Sequence, residues 1–269
     1  MTKHWALDDI RWDQFDPSRV DPDILKVIKA ASVVEFNGTD YGQYLNNVFY
    51  DDPLFKSVII QWAQEEVQHG KALAKWVQLC DPSFDFTSVT TQFTDHFKVD
   101  VEAKQSIRGS RAAELLARCM VEVGTSSFYF AVRDATDEPV LKEICNHIAT
   151  DELKHYKLFY THLQRYQAAE PIPLWRRLWF IVSRLMENED DELASAYYAT
   201  NHGHETYDRS RFAKEYLSRV YRFYDSTHMH RGIAMVLKAI GLKPYTRFHK
   251  ILHACMWRMV QRRAYKTAA

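Results

Sequence analysis

Apolar residues return every three or four positions through most of this chain, the spacing that gathers them on one face of a helix. Between Pro53 and Cys80 the set Val58, Ile59, Trp62, Ala63, Val67, Leu73 and Val77 follows that period. Asp52-Pro53 in front of it and Asp81-Pro82 behind it read as a capped start and a stop. The same logic places a first helix from Asp21-Pro22 to about Tyr50, a third from about Arg111 to Arg133 and a fourth from Asp137-Glu-Pro139 to about Tyr166. The stretch from Ser83 to about Arg108 is less periodic and reads as a crossover with one short helix. Residues 1 to about 20 are polar with scattered aromatics, and beyond Ala168 the pattern stays helical, with two or three further helices expected. The expectation is an all-α chain forming one domain over residues 1–269, a bundle over about 22–168 and a C-terminal extension over about 171–269.

Composition agrees with helices. Glycine and proline number eight each in 269 residues, and a 46% hydrophobic content is enough to bury a full core. The formal net charge is zero, yet Tyr207 to Ala269 hold 14 Lys and Arg against 3 Asp and Glu, so this tail carries +11 and the part before it −11. The cysteines Cys80, Cys119, Cys145 and Cys255 form no Cys-x-x-Cys, which argues against a disulfide framework or a thiolate zinc site. No signal-type apolar segment opens the chain and no apolar run approaches the roughly 20 residues of a membrane span, so a cytoplasmic location is expected.

The chemistry lies in Gln61-Trp-Ala-Gln-Glu-Glu-Val-Gln-His-Gly70 and Asp151-Glu-Leu-Lys-His155, which hold the only two Glu-x-x-His matches. Helical positions three apart are neighbours, so Glu66 with His69, and Glu152 with His155, each offer a carboxylate and an imidazole to one point. Glu35 and Glu122 are lone acids in apolar surroundings on the other two long helices. The separations repeat, 31 residues from Glu35 to Glu66 and 30 from Glu122 to Glu152, which reads as a duplicated helical hairpin. Burying four such acids uncompensated costs several kcal/mol apiece, and buried charges are paired or bind metal. Four carboxylates neutralise a close pair of divalent cations while the imidazoles stay neutral, and this donor set suits iron, with manganese the substitute. Gly38 and Gly42 share the face of Glu35, either leaving room for a bound group or letting helices approach closely. The pairs His202/His204 and His228/His230 read as polar surface or packing rather than a further metal site.

The set Glu35, Glu66, His69, Glu122, Glu152 and His155 resembles that of the ferritin-like di-iron carboxylate proteins. Within that superfamily, Trp62-Ala-Gln-Glu-Glu-Val-Gln-His-Gly70 resembles the Trp-x-x-Glu-Glu-x-x-His-Gly signature of the soluble acyl-carrier-protein desaturases. Ile148-Ala-Thr-Asp-Glu-Leu-Lys-His155 resembles their second signature, and Glu122-Val-Gly-Thr125 their Glu-x-x-Thr. The resemblance spans about residues 25 to 166 and reaches the first helix only through the position of Glu35. It implies a ferritin-like four-helix bundle whose six residues hold two Fe ions. Thr125 would lie beside the oxygen-binding face and Asp151 would orient a ligand histidine; Ser126 and Tyr129 share the face of Glu122, and Trp62 reads as core. The implied activity is that of an O2-activating oxidoreductase, a desaturase or monooxygenase acting on an acyl-type substrate and fed by a ferredoxin-like donor or a reductase. The substrate would be a hydrophobic small molecule or an acyl chain on an acidic carrier, which the +11 region would steer. Two other readings stay open: ferrous oxidation for iron storage, with Glu187 to Glu192 the one acidic run, and oxidation of another substrate such as tRNA, which a basic aromatic tail suits. A homodimer, and interfacial membrane contact through Trp175, Trp179, Trp257 and nearby Arg, complete the expected partners.

Overall fold

Short acceptor side chains start most of the helices, because the first amides of a helix have no partner within it. Asp21, Asp52, Asp85, Ser110, Glu138, Asp208 and Asp225 each accept from first-turn amides, and Pro22, Pro53 and Pro139 hold positions where no amide is needed. The computed structural model describes residues 4–186 and 191–265, all-helical and without a strand among them. After three short 3-10 turns come α1 (Pro22–Phe36), α2 (Gly38–Val48), α3 (Pro53–Cys80), α4 (Phe86–His96), α5 (Arg111–Ala135) and α6 (Pro139–Ala169). Then follow α7 (Leu174–Met186), α8 (Asp191–Asn201), α9 (Arg209–Phe223), α10 (Ser226–Ala239) and α11 (Arg247–Tyr265).

Two expectations are corrected. The first helix does not run unbroken to Tyr50; it breaks at Asn37 into α1 and α2. At this break α3 lies close: a Cβ on Gly38 would fall 2.3 Å from the Cβ of Glu66, and one on Gly70 would fall 2.6 Å from the Phe36 nitrogen. A Cβ on Gly42 would likewise meet that of Ala63 at 2.6 Å. Of the two readings offered for Gly38 and Gly42, close helix packing is the one observed. The second correction concerns the C-terminal part, which forms five helices rather than two or three, since Asp208 and Asp225 cap new helices without the proline or glycine that marks earlier boundaries. Residues 187–190 of the acidic run lie outside the described residues.

Helices α5 and α6 pack along each other, α1 packs on α3, and α3 faces α6. α8 covers α1 and α4, and α10 covers α5. Two apolar clusters result. One gathers Ile28, Val33, Leu73, Trp76, Tyr129, Ile148, Tyr197 and Phe212; the other gathers Leu45, Phe55, Ile59, Trp62, Cys119, Tyr156, Phe159 and Leu237. On α3 and α6 the Glu-x-x-His pairs fall between the stretches feeding the two clusters, and Glu35 and Glu122 meet them there. A polar layer is thereby enclosed by apolar packing on both sides, so any charge in it is shielded from water. The four cysteines are free. Of the described helices, Arg111–Ala135 is long and apolar enough to cross a membrane, and 78% of its most apolar window is buried inside the protein.

Candidate metal centre

All six expected ligands meet in that layer. Oxygens of Glu35, Glu66 and Glu152 and a nitrogen of His69 lie within 4.8 Å of one another, as do donor atoms of Glu66, Glu122, Glu152 and His155. Both groups are buried and could hold a metal ion, and Glu66 and Glu152 belong to both. His69 Nδ1 is 3.4 Å from Glu35 Oε2 and 3.3 Å from Glu152 Oε1. His155 Nδ1 is 3.0 Å from Glu66 Oε1 and 3.7 Å from Glu122 Oε2.

The outward atoms of the cluster are satisfied and the inward ones are not. Tyr129 donates to Glu35 Oε1 at 2.6 Å, and Thr125 donates to Glu152 Oε2 at 2.5 Å. Glu35 Oε2, Glu66 Oε1, His69 Nδ1, both oxygens of Glu122, Glu152 Oε1 and His155 Nδ1 are buried without a hydrogen-bond partner. Unsatisfied polar atoms in a native interior ask for an explanation, and here each of the six residues contributes at least one. A cationic group fits this donor set: oxygen and imidazole atoms with no amide or ammonium among them, the buried Arg118 acting on Glu122 from outside the set.

The charge state without metal shows the same tension. Burial, then Glu152 and Glu35, push Glu66 well above the usual carboxylate range. Burial, then Glu152 and Glu66, do the same to Glu122. Glu152 moves the other way: burial opposes its charge, but the neighbouring His155 and His69 imidazoles outweigh that. Both imidazoles are raised. Burial disfavours their charge, and for His69 it is overcome by Asp151, Glu152 and Glu35, for His155 by Glu152, Glu65 and Glu66. Burial and mutual repulsion thus favour protonation of Glu66 and Glu122, and their carboxylate neighbours favour protonation of both imidazoles.

Each histidine is held from behind. Asp151 Oδ2 lies 3.4 Å from His69 Nε2, and Glu65 Oε2 lies 2.7 Å from His155 Nε2. An ionised carboxylate only accepts, so the outer nitrogen keeps its proton and the Nδ1 lone pair is turned to the cluster. The N-terminal segment closes over this arrangement. Trp5 Nε1 donates to Asp151 at 2.6 Å and its ring stacks on His69 with centroids 6.0 Å apart. His4 Nε2 is 2.9 Å from Asp151 and 3.7 Å from Glu65.

Sequence reasoning singled out Asp151 but missed Glu65, Trp5 and His4. A signal for Glu65 existed: it precedes Glu66 as Asp151 precedes Glu152, 86 positions apart like the ligands themselves. Nothing local marks His4 or Trp5. Tyr129 and Thr125 hold carboxylates, whereas Ser126 Oγ turns back to the Val123 carbonyl. Trp62 lies in the core. His202 pairs with Glu205 and Glu215, and His228 with Asp134 and Asp225; none of the four outlying histidines joins either candidate group. The small residues expected to leave a groove beside the ligands largely do not, as Gly38, Gly42 and Gly70 are filled by neighbours. A groove of about 660 Å³ instead lies outside, between α2 and α3, lined by Thr39, Gln43, Ile60 and Gln64 among others. No family model matches the chain, and no curated protein matches it.

Proposed function

We propose that α1, α3, α5 and α6 form a ferritin-like four-helix bundle around two iron ions, and that the protein is an O2-dependent oxidoreductase desaturating or hydroxylating an acyl-type substrate. The observation that carries this is the ring of unpartnered donor atoms in a water-excluded layer. Glu35, Glu66, His69 and Glu152 would hold one ion and Glu66, Glu122, Glu152 and His155 the other, with Glu66 and Glu152 shared. Bound there, a redox-active pair would supply the electron capacity that O2 reduction needs.

The chain's own residues prepare the layer. Asp151 and Glu65 fix which nitrogen of His69 and His155 keeps a proton, and raise the basicity of the other. Tyr129 and Thr125 each occupy one oxygen of a carboxylate and leave its second oxygen facing inward. The apolar clusters exclude water, which strengthens every electrostatic contact within. In the desaturation version, O2 takes two electrons and two protons from adjacent C–H bonds, two electrons from an external reductant and two protons from solvent, giving two waters. In the hydroxylation version one oxygen atom enters the C–H bond of the substrate, and the other leaves as water with two electrons from the external reductant and two protons from solvent.

The test is anaerobic loading with ferrous ion, metal counting per chain, then addition of O2, a reductant and acyl chains on a carrier protein. Two ions bound and a chain lighter by two hydrogens or heavier by one oxygen are expected. Retention of no metal removes the whole reading; oxidation of a different substrate removes only its acyl version.

A further inference from the structure

The first two turns of α7, residues 174–180, are built inside out for a helix on a protein surface. Leu174, Trp175, Leu178 and Trp179 form one stripe, at i, i+1, i+4 and i+5, and that stripe faces solvent, Trp175 at 69% and Trp179 at 64% of full exposure. Its other face holds it to the protein. Arg177 Nη1 donates to the Ile240 carbonyl at 2.7 Å, and Phe180 packs on the second apolar cluster with the Arg108 guanidinium 5.8 Å above its ring. An amphipathic helix that turns its Trp and Leu outward gains nothing from folding by doing so; a contiguous apolar stripe of this kind marks an interaction site. The turn that Arg177 grips leads into α11; along that turn and the start of the helix Tyr245, Phe248 and Ile251 are also exposed, interleaved with exposed Lys243, Arg247 and Lys250. Neither helix contains an acid: Leu174–Met186 holds three Arg, and Arg247–Tyr265 holds five Lys and Arg.

We propose that α7, with the start of α11, is an interfacial anchor that docks the protein on an anionic lipid bilayer. Trp175 and Trp179 sit at headgroup level, Leu174 and Leu178 reach the acyl boundary, and Arg176, Arg247 and Lys250 meet lipid phosphates. Charge selects this occupant. A second copy would set Arg176, Arg247 and Lys250 against their own counterparts, and an acidic carrier protein would satisfy the arginines and lysines but leave the Trp and Leu stripe in water. A bilayer with anionic headgroups answers both features. At 13 residues α7 is too short to span, so it lies in the plane of the interface. This anchor is independent of the metal reading, because no candidate ligand touches it.

The experiment uses the full chain and vesicles of phosphatidylcholine with about a third phosphatidylglycerol, read by co-sedimentation and by tryptophan emission. Binding with a blue-shifted emission is expected, weakened by salt and by omission of phosphatidylglycerol. The double variant Trp175→Ala/Trp179→Ala is expected to lose about tenfold or more in vesicle affinity. Its melting temperature should be unchanged, since both rings are exposed. Arg176→Glu/Lys250→Glu should weaken binding to anionic vesicles comparably. The proposal is overturned if wild-type protein ignores anionic vesicles, if binding survives loss of both Trp side chains, or if the Trp variant instead dissolves a homodimer or abolishes binding of an acidic carrier protein.

Discussion

Replacing Glu122 by Gln should stabilise the metal-free protein and destabilise the metal-loaded one. Glu122 is 1% exposed, both its oxygens lack partners, and the nearest group able to carry positive charge, His155 Nδ1, is 3.7 Å from one of them. The substitution keeps the shape and removes a carboxyl that burial, Glu152 and Glu66 force to take up a proton on folding. An amide carries no such protonation cost but itself stays unpartnered, so the net gain is about 1–2 kcal/mol. For a chain of this size that is a rise of several degrees in Tm. With metal the order reverses. Each ion present at about 100 times its Kd adds roughly 2.7 kcal/mol, so two ions give wild type about 5 kcal/mol. The variant keeps the Glu35, Glu66, His69 and Glu152 group and gains about half of that. Thermal unfolding followed by circular dichroism, once with chelator and once with excess Mn2+, reads both arms. A variant that is less stable than wild type in chelator, with no metal-induced rise in either protein, would refute the reasoning and make Glu122 a packing residue.

Two further predictions concern the same layer. Glu65→Gln and Asp151→Asn should each weaken metal binding by about 10- to 100-fold, because the amide no longer fixes the tautomer of His155 or His69; metal titration followed by calorimetry measures this, and equal affinity in Glu65→Gln would show that its 2.7 Å contact does not orient the ring. The metal-free protein should lose stability as pH rises above the ordinary ranges of Glu and then His: Glu66, Glu122, His69 and His155 all have raised pKa values in the fold, so the native state holds more protons than the unfolded chain, and stability falls until they titrate. Glu152 and Asp151, which are lowered, lose their contribution only on the acid side and do not offset this slope. Metal affinity should rise over the same interval, since the bound ions displace those protons; melting curves in chelator against pH, compared with metal titrations at each pH, would reveal parallel slopes if this is wrong.

What could be read from the chain alone was whatever repeats at helical spacing between strong boundaries. Asp-Pro at 21–22 and 52–53 fixed where helices begin, and the two Glu-x-x-His pairs then needed only the 3.6-residue turn to be placed side by side. The break at Asn37 could not be read, because the residues that pack against it, Glu66 and Ala63, lie on another helix and leave no local pattern in Ala30 to Gly42. The five C-terminal helices escaped for a related reason: Asp208 and Asp225 resemble surface acids until their first-turn amides are seen to bond to them. Trp5 and His4 reach Asp151 across 146 and 147 residues, a distance over which no local pattern acts.

The duplication itself becomes intelligible once Glu65 is included. Each copy carries an acid, then the inward Glu, then the His three positions on: Glu65-Glu66-x-x-His69 on α3 and Asp151-Glu152-x-x-His155 on α6. Neither copy's first acid serves its own histidine. Glu65 holds His155 on α6, and Asp151 holds His69 on α3, so each half-site is oriented only when the other helix is in place. His4, within reach of both outer acids, ties the exchange together from the side away from the cluster. A hairpin folded alone would present its Glu and His without the carboxylate that fixes the ring. Ring orientation therefore couples the two copies through hydrogen bonds rather than through apolar packing, and altering either outer acid acts on the ligand histidine of the opposite copy.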